Sequence, residues 1–600
     1  MRKSSILLLL CFGIAMLTSP TAGYVLGIDL GSEFYKISLI KPGKAFEMVE
    51  NLNSKTNTYN LLSFFDGRRL KEYEAFTKVT RAPHNSYFMF LKYLGRHPED
   101  EVLGRQKQLH YDNYDSQVLE DGTVVYSVRD FILPQIKEGQ TEIPRLTGLT
   151  HLKLEEIFGM ILEHARFLCT KFAGVSVKDA YFSVPPWWGI EERKILFSVA
   201  KLAGFDPVGF ASENTGAATY YAINRQKDAK NETVLFFNMG SQSTKTSIFR
   251  FENIPVDKGP IRESYNLLSE AWNQEAGGYA LDICLAKDFA KSFADKFNHQ
   301  DILENTRVMR RLIREANKLK EVLSANKQAS MIVEEVHDYK DFSKMYARET
   351  FEELCGDIVR TAAETLTVAL ERANLTAEDI DTIQVIGGSV RIPLVHALIN
   401  EKLGKPHSMN MNGDNSMAMG LSFMAANSST QFQTKKIYLT QGPSYQVRAV
   451  VKDLGSGSIV SESELIFDSF KSGKTYQAKV IEHQADLEVE ISVHPLEKRT
   501  SAEDESYIYK YNVTGITEWY ANQTTNENLK NSSIRLLYVC DAYGMVALGR
   551  SRIEFTEEVE VELPKKKKTA NTTNNETETE PEAETPKEKV IAIKSENQTI

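Results

Sequence analysis

The sequence predicts an α/β domain of two related lobes, followed by an antiparallel β-sandwich and a disordered tail. Three observations predict it. Apolar strand-like runs alternate with long amphipathic helices from Tyr24 to about Ala426. Within that stretch VLGIDLGS (25–32) and VLFFNMGS (234–241) are near copies, which points to two lobes facing one cleft. Beyond residue 441 the pattern changes to short alternating strands separated by polar turns.

Residues 1–23 read as a signal peptide. Arg2 and Lys3 form a basic start, Ile6 to Leu17 an apolar run, and Thr21, Ala22 and Gly23 a small-residue cleavage site. That run is short for a bilayer span, and no other approaches the ~20 residues of a membrane helix, so no membrane span is expected after cleavage. Asn-x-Ser/Thr sequons at Asn231, Asn374, Asn427, Asn512, Asn522, Asn531, Asn571, Asn575 and Asn597 agree with a secretory route and a glycoprotein. Cys11 leaves with the signal. Cys169, Cys284, Cys355 and Cys540 are far apart and without metal-ligand spacing, so buried free thiols are expected, with one bridged pair left open. The net charge of −10, with no large basic block, argues against nucleic acid.

The domain at 24–426 carries the chemistry. In each near copy an apolar strand ends in a Gly-Ser turn and strand residues resume, the form of a hairpin whose backbone N–H groups cradle phosphate. TIQVIGGSV (382–390) adds a third strand-to-glycine turn. Residues 304–328 read as a helix, with Val308, Leu312, Leu319 and Leu323 at apolar spacing and Asn317, Lys320 and Ser324 on another face. TFEEL reads as a helix start with a capping box of Thr350 and Glu353. Residues 427–440 form a polar linker, and 441–563 the sandwich, where Leu487, Val489, Ile491 and Val493 alternate onto one face. Residues 564–600 have too few large apolar side chains to offset the entropy of folding and are expected to be disordered.

Together the paired hairpins, the GGS turn and the following sandwich resemble the heat-shock protein 70 family over roughly residues 24–563. DLGSE (29–33), ANKLKEVLSAN (316–326), TFEELC (350–355) and GGSVRIP (387–393) are similar to its large endoplasmic-reticulum branch, the glucose-regulated or hypoxia-up-regulated chaperones. The resemblance implies an actin-like domain that binds ATP or ADP with magnesium. It gives Asp29 and Glu213 catalytic roles: Asp29, with Gly31 and Ser32, in the first phosphate loop facing the water shell of Mg²⁺, and Glu213 near the attacked phosphate. It places Gly240 and Ser243 in the second phosphate loop, and Gly277 and Gly278 by the phosphates and ribose. Lys320 and Ser324 match the adenosine-contacting helix, with Asn317 where a glutamate is usual. Gly387, Gly388, Ser389, Arg391 and Asp414 match the adenine-side turns.

Three positions depart from the family. Counting back from APHNSYFMFLKYLGR (82–96) puts Phe76 at the catalytic lysine, while Asn238 and Lys245 replace two aspartates. Phe76 supplies no cation, Asn238 cannot accept a proton, and an inward Lys245 would repel Mg²⁺ yet neutralise phosphate. Nucleotide binding with slow hydrolysis is therefore expected, with magnesium held weakly, through water, at Asp29. The resemblance places a helical lid after the sandwich, where this sequence instead reads directly into the expected tail, and its last residues read ENQTI rather than a KDEL-like signal. The resemblance implies a lumenal holdase for unfolded or extended client polypeptides, or a nucleotide-exchange partner of the lumenal heat-shock protein 70 chaperone. Two other readings compete: an interaction glycoprotein with a vestigial site, and an actin-fold small-molecule kinase, against which the sandwich argues.

Overall fold

A computed structural model describes residues 23–96, 114, 116–120, 123–128, 150–225, 230–254, 262–470, 475–496, 507–524, 529–562 and 589–599. The expected signal peptide before Gly23, and residues 564–588 and 600 of the expected tail, lie outside them. Among the described residues no helix is long and apolar enough to cross a membrane.

The near-copy motifs build two equivalent sheets. In the first lobe Val25–Leu30 and Phe34–Ile40 form an antiparallel hairpin, and Asp179–Val184 and Asp206–Ser212 continue the sheet in parallel beyond Val25–Leu30. In the second lobe Glu232–Met239 and Thr244–Ile254 form the matching hairpin, flanked in parallel by Thr382–Ile386 and in antiparallel fashion by Arg262–Asn273. Every residue of Val25–Leu30 is buried, as a strand covered on both faces requires.

Helices Glu213–Asn224 and Ser416–Ser428 join the lobes behind the cleft. They meet backbone to backbone: a Cβ on Gly420 would lie 1.8 Å from the Gly216 carbonyl oxygen. Gly27 admits the second helix to the first sheet in the same way, since its Cβ would fall 2.1 Å from the Ser422 nitrogen. The sequence spacing of small residues, not their apolarity, makes this crossing possible.

Helix Thr306–Ala325 fills the segment expected to be helical, with Leu312, Leu319 and Leu323 in the core. Helix Arg348–Ala373 begins before the expected Thr350 start. The Gln328–His337 and Lys340–Ala347 hairpin feeds straight into it, so Thr350 sits inside the first turn and no capping box forms there. Cys284 and Cys355 form a disulfide, correcting the expectation of free thiols at these positions; Cys169 and Cys540 remain free. The bridge closes a sequence separation of 71 residues between helices Gly278–Phe297 and Arg348–Ala373. Constraining a loop of that size in the unfolded chain is worth about 2–4 kcal/mol.

The expected linker is not featureless. Its end, Ile437–Thr440, adds as a parallel strand to Arg262–Asn273 and so to the edge of the second lobe's sheet. Beyond it Ile459–Phe467, Tyr445–Asp453, Leu487–Pro495 and Tyr507–Val513 form one antiparallel sheet. Tyr476–Ile481, Leu529–Cys540 and Arg552–Glu562 form most of another. Leu487, Val489, Ile491 and Val493 are buried against Ile534, Leu536 and Tyr538, so the alternation faces the core. One segment of the tail departs from expectation: Lys589–Thr599 pairs along the whole of Arg552–Glu562.

The sandwich sits on the first lobe. Arg193 Nη1 donates to the Tyr543 carbonyl at 2.8 Å, the Phe210 backbone N–H to the Ala542 carbonyl at 3.0 Å, and the Tyr543 hydroxyl to the Pro207 carbonyl at 3.0 Å. Ile190, at the start of helix Ile190–Leu202, packs into the sandwich core. Among the sequons, Asn231, Asn374, Asn512, Asn522 and Asn531 are exposed, whereas Asn427 donates its amide to the Ile437 carbonyl at 3.0 Å.

Candidate functional site

A cleft of about 820 Å³ opens between the lobes, walled by the two hairpin turns. The first hairpin brings Asp29, Gly31 and Ser32 to it, and the second brings Asn238, Gly240, Ser243 and Lys245. Glu213 enters from the helix whose N-cap is Ser212, which accepts from the Thr215 N–H at 3.2 Å. Lys320 and Ser324 come from the predicted helix, and Gly387, Gly388, Ser389, Arg391 and Asp414 from the turns after Thr382–Ile386. Gly277 is the one predicted residue that does not line the cleft. It caps helix Gly278–Phe297 against the second turn, where a Cβ would meet backbone atoms of Ser241 and Gln242 at 2.5 Å.

The second turn is braced from three sides. Gly278 N–H and the Ser389 hydroxyl both donate to the Gly240 carbonyl, at 3.0 and 2.9 Å, and the Tyr279 N–H donates to the Ser241 carbonyl at 2.7 Å. Gly387 has a φ of +94°, and a Cβ there would press on the Met239 carbonyl oxygen at 2.5 Å, so the turn requires glycine twice over. Lys320 is engaged within the wall: its Nζ lies 2.8 Å from Asp282 Oδ1 and donates to the Gly278 carbonyl at 3.0 Å. Asn317 donates to Asp282 Oδ2 at 3.0 Å, and the Ser324 hydroxyl donates to the Lys320 carbonyl at 2.9 Å. Burial pushes the Asp282 carboxyl up, and Lys320 opposes it. Arg391 and Asp414 form an exposed pair at 2.9 Å.

The three departing residues all face the cleft. Phe76 stacks on Tyr59 with ring centroids 4.4 Å apart, an apolar plate at the cleft wall. Asn238 donates to Asn214 Oδ1 at 3.0 Å, which fixes its amide in the floor. Lys245 is buried, with its Nζ 2.7 Å from Glu213 Oε1 and 5.3 Å above the Trp187 ring. Burial pushes the Glu213 carboxyl up, Lys245 pulls it back, and Glu213 Oε2 has no hydrogen-bond partner among the described residues. Asp29 is likewise occupied, with Lys36 Nζ 3.3 Å from Oδ2 and the Ser183 hydroxyl donating to Oδ1 at 3.1 Å.

These residues do not suit Mg²⁺. A hard dication needs carboxylates or waters they orient, and of the carboxylates lining the cleft Asp29 and Glu213 already hold an ammonium, Asp414 pairs with Arg391, and burial holds Glu33 towards its neutral form. Among the described residues, the trio of potential ligands close enough to share an ion is His299, Asp301 and His337, none of which lines the cleft.

Two further acidic residues were not singled out by the sequence. Glu33, beside the first turn, is pushed up to about 7 by burial, against the pull of Lys320. Glu270, behind Glu213, accepts from the Ser247 and Ser212 hydroxyls at 2.7 and 2.9 Å, and burial pushes it up to about 7. A carboxyl held protonated in the fold stabilises it at low pH, and that contribution is lost as pH rises through the folded value. Glu270→Gln keeps both accepted bonds on Oε1. It is expected to flatten the fall in stability between about pH 5 and 7, and to add up to about 3 kcal/mol above pH 8, in chemical denaturation across that range. Glu33, raised in the same way, contributes to the slope that remains.

Residues 25–599 match the family described as Hsp70 protein. Hypoxia up-regulated protein 1 of Xenopus laevis is 28% identical over 466 residues, covering 76% of this chain and 69% of that protein. The Mus musculus protein of the same name is 28% identical over 468 residues, and the Homo sapiens one 27%. The chain spans 45% of the length of each of these two.

Proposed function

The chain belongs to the heat-shock protein 70 family, and from that premise we propose that it is a nucleotide-binding chaperone or co-chaperone of the endoplasmic reticulum lumen with weak ATP hydrolysis. The Glu213–Lys245 pair carries the reading. Attack on a terminal phosphate needs a placed water and a group to orient it or take its proton. Glu213 is committed to an ammonium, Asn238 is a neutral amide bound to Asn214, and Phe76 offers no charge. The glycine-braced turns that would hold phosphates remain intact. The cleft thus favours holding a nucleotide over cleaving it.

A bound nucleotide can act by favouring one arrangement of the lobes, and the sandwich seated on the first lobe is placed to respond. An extended client would pair with a sandwich edge, as strand addition allows. The similarity to proteins named hypoxia up-regulated protein 1 supports the stress-chaperone part of this reading. A role as holdase or as nucleotide-exchange partner of a lumenal heat-shock protein 70 is the finer part of the proposal. Thermal melting of the full chain with and without ATP or ADP tests it, because a ligand that binds only the native state raises its stability. A rise in melting temperature is expected with both nucleotides. No shift with either would leave the interaction-glycoprotein reading, which the same lysine favours.

A further inference from the structure

We propose that this cleft takes the phosphates of a nucleoside di- or triphosphate without a divalent cation, the ammonium groups of Lys36 and Lys245 standing in for it. The inference rests on the nucleotide-binding reading above and goes beyond it in naming the counter-ion. Its first support is the internal duplication. Asp29 pairs across its hairpin with Lys36, and Asn238 pairs across the matching hairpin with Lys245, so the two lysines occupy the same rung of the two lobes. Both line the cleft, and their side chains are only 15% and 9% exposed.

The second support is what each lysine touches. Lys36 sits on Asp29 and Lys245 on Glu213, so the two carboxylates best placed to attract a hydrated dication are already neutralised. Adding Mg²⁺ would set its charge beside two ammonium groups, whereas adding phosphate oxygens supplies acceptors to the same groups. Each ammonium has three donors, so an ion pair to one carboxylate leaves capacity for phosphate.

Calorimetric titration of the full chain with ADP and with ATP, in EDTA and in millimolar Mg²⁺, decides it. The expected result is binding in EDTA within about threefold of that in Mg²⁺, below the tenfold that marks 1.4 kcal/mol. Binding weakened about tenfold or more by EDTA would overturn the inference while leaving the nucleotide site standing. Absence of binding in both buffers would overturn the underlying reading and the inference with it. Lys245→Asp is expected to invert the behaviour, binding weakly in EDTA and recovering in Mg²⁺. Lys36→Met, on the other lobe, is expected to lose about tenfold in EDTA, the worth of one charge-assisted hydrogen bond. A Lys36→Met protein that melts like wild type and binds ADP unchanged in EDTA would overturn the role of Lys36.

Discussion

When excess protein is mixed with labelled ATP and Mg²⁺ and the bound nucleotide is recovered over hours, it is expected to remain ATP. Asn238→Asp combined with Lys245→Asp is expected to raise the single-turnover rate about 100-fold or more. The magnitude follows from the loss of preorganised electrostatic groups, each worth ~2.7–4 kcal/mol of barrier where comparable donors have been removed. The two substitutions act on one floor: Asn238 pairs across the hairpin with Lys245, and Lys245 holds Glu213. Reverting both frees Glu213 and supplies two carboxylates, so the gain is expected from the pair more than from either alone. Wild-type turnover well above a protein-free control would sink the slow-hydrolysis reading.

Gly420→Ala is expected to cost about 3 kcal/mol or more, the upper range for forcing atoms into a packed interior. The added Cβ would lie 1.8 Å from the Gly216 carbonyl oxygen and 2.7 Å from its carbon, both backbone, so no side chain can swing aside. Helix Glu213–Asn224 must then shift, and Glu213 is its first residue. A lowered melting temperature and loss of any stabilisation by ADP should appear together. Gly159→Ala, in the middle of helix Leu154–Ala173 with its nearest contact at 3.7 Å, is the control and should be neutral or slightly stabilising. Equal melting of the two variants would show that the crossing tolerates separation.

The parts of the fold set by local pattern were legible. The hairpins at 25–40 and 232–254, the helix around Leu312 and Leu319, and the alternating face at 487–493 each declare themselves in periodicity or turn residues. The parts set by long-range packing were not. The Cys284–Cys355 bridge depends on two helices lying side by side, which no spacing encodes. Helix Arg348–Ala373 starts where a hairpin delivers it, overriding the Thr350 signal. Lys589–Thr599 becomes a strand because Arg552–Glu562 offers an edge, although its surroundings read as low complexity.

The candidate site divides the same way. Glycine turns and the Asp29 and Glu213 positions were readable from resemblance, and Lys245 from its oddity. Lys36 was missed although its signal is present: it follows Asp29 by the interval that separates Lys245 from Asn238. Glu270 gave no sign, because its burial comes from Ser212 and Ser247 on other strands.

The sandwich is tethered to both lobes. Ile437–Thr440 is woven into the edge of the second lobe's sheet, while Ala542 and Tyr543 grip the first. It is therefore a strap between a pair of jaws. Any swing of one lobe against the other must stretch the strap, unzip a four-residue strand, or pull the 542–543 loop, Ile190 and the Tyr509–Glu191 bond from their seats. Whichever yields first sets how far the lobes can part, so the stiffness of this chain lies in its connections as much as in its cores.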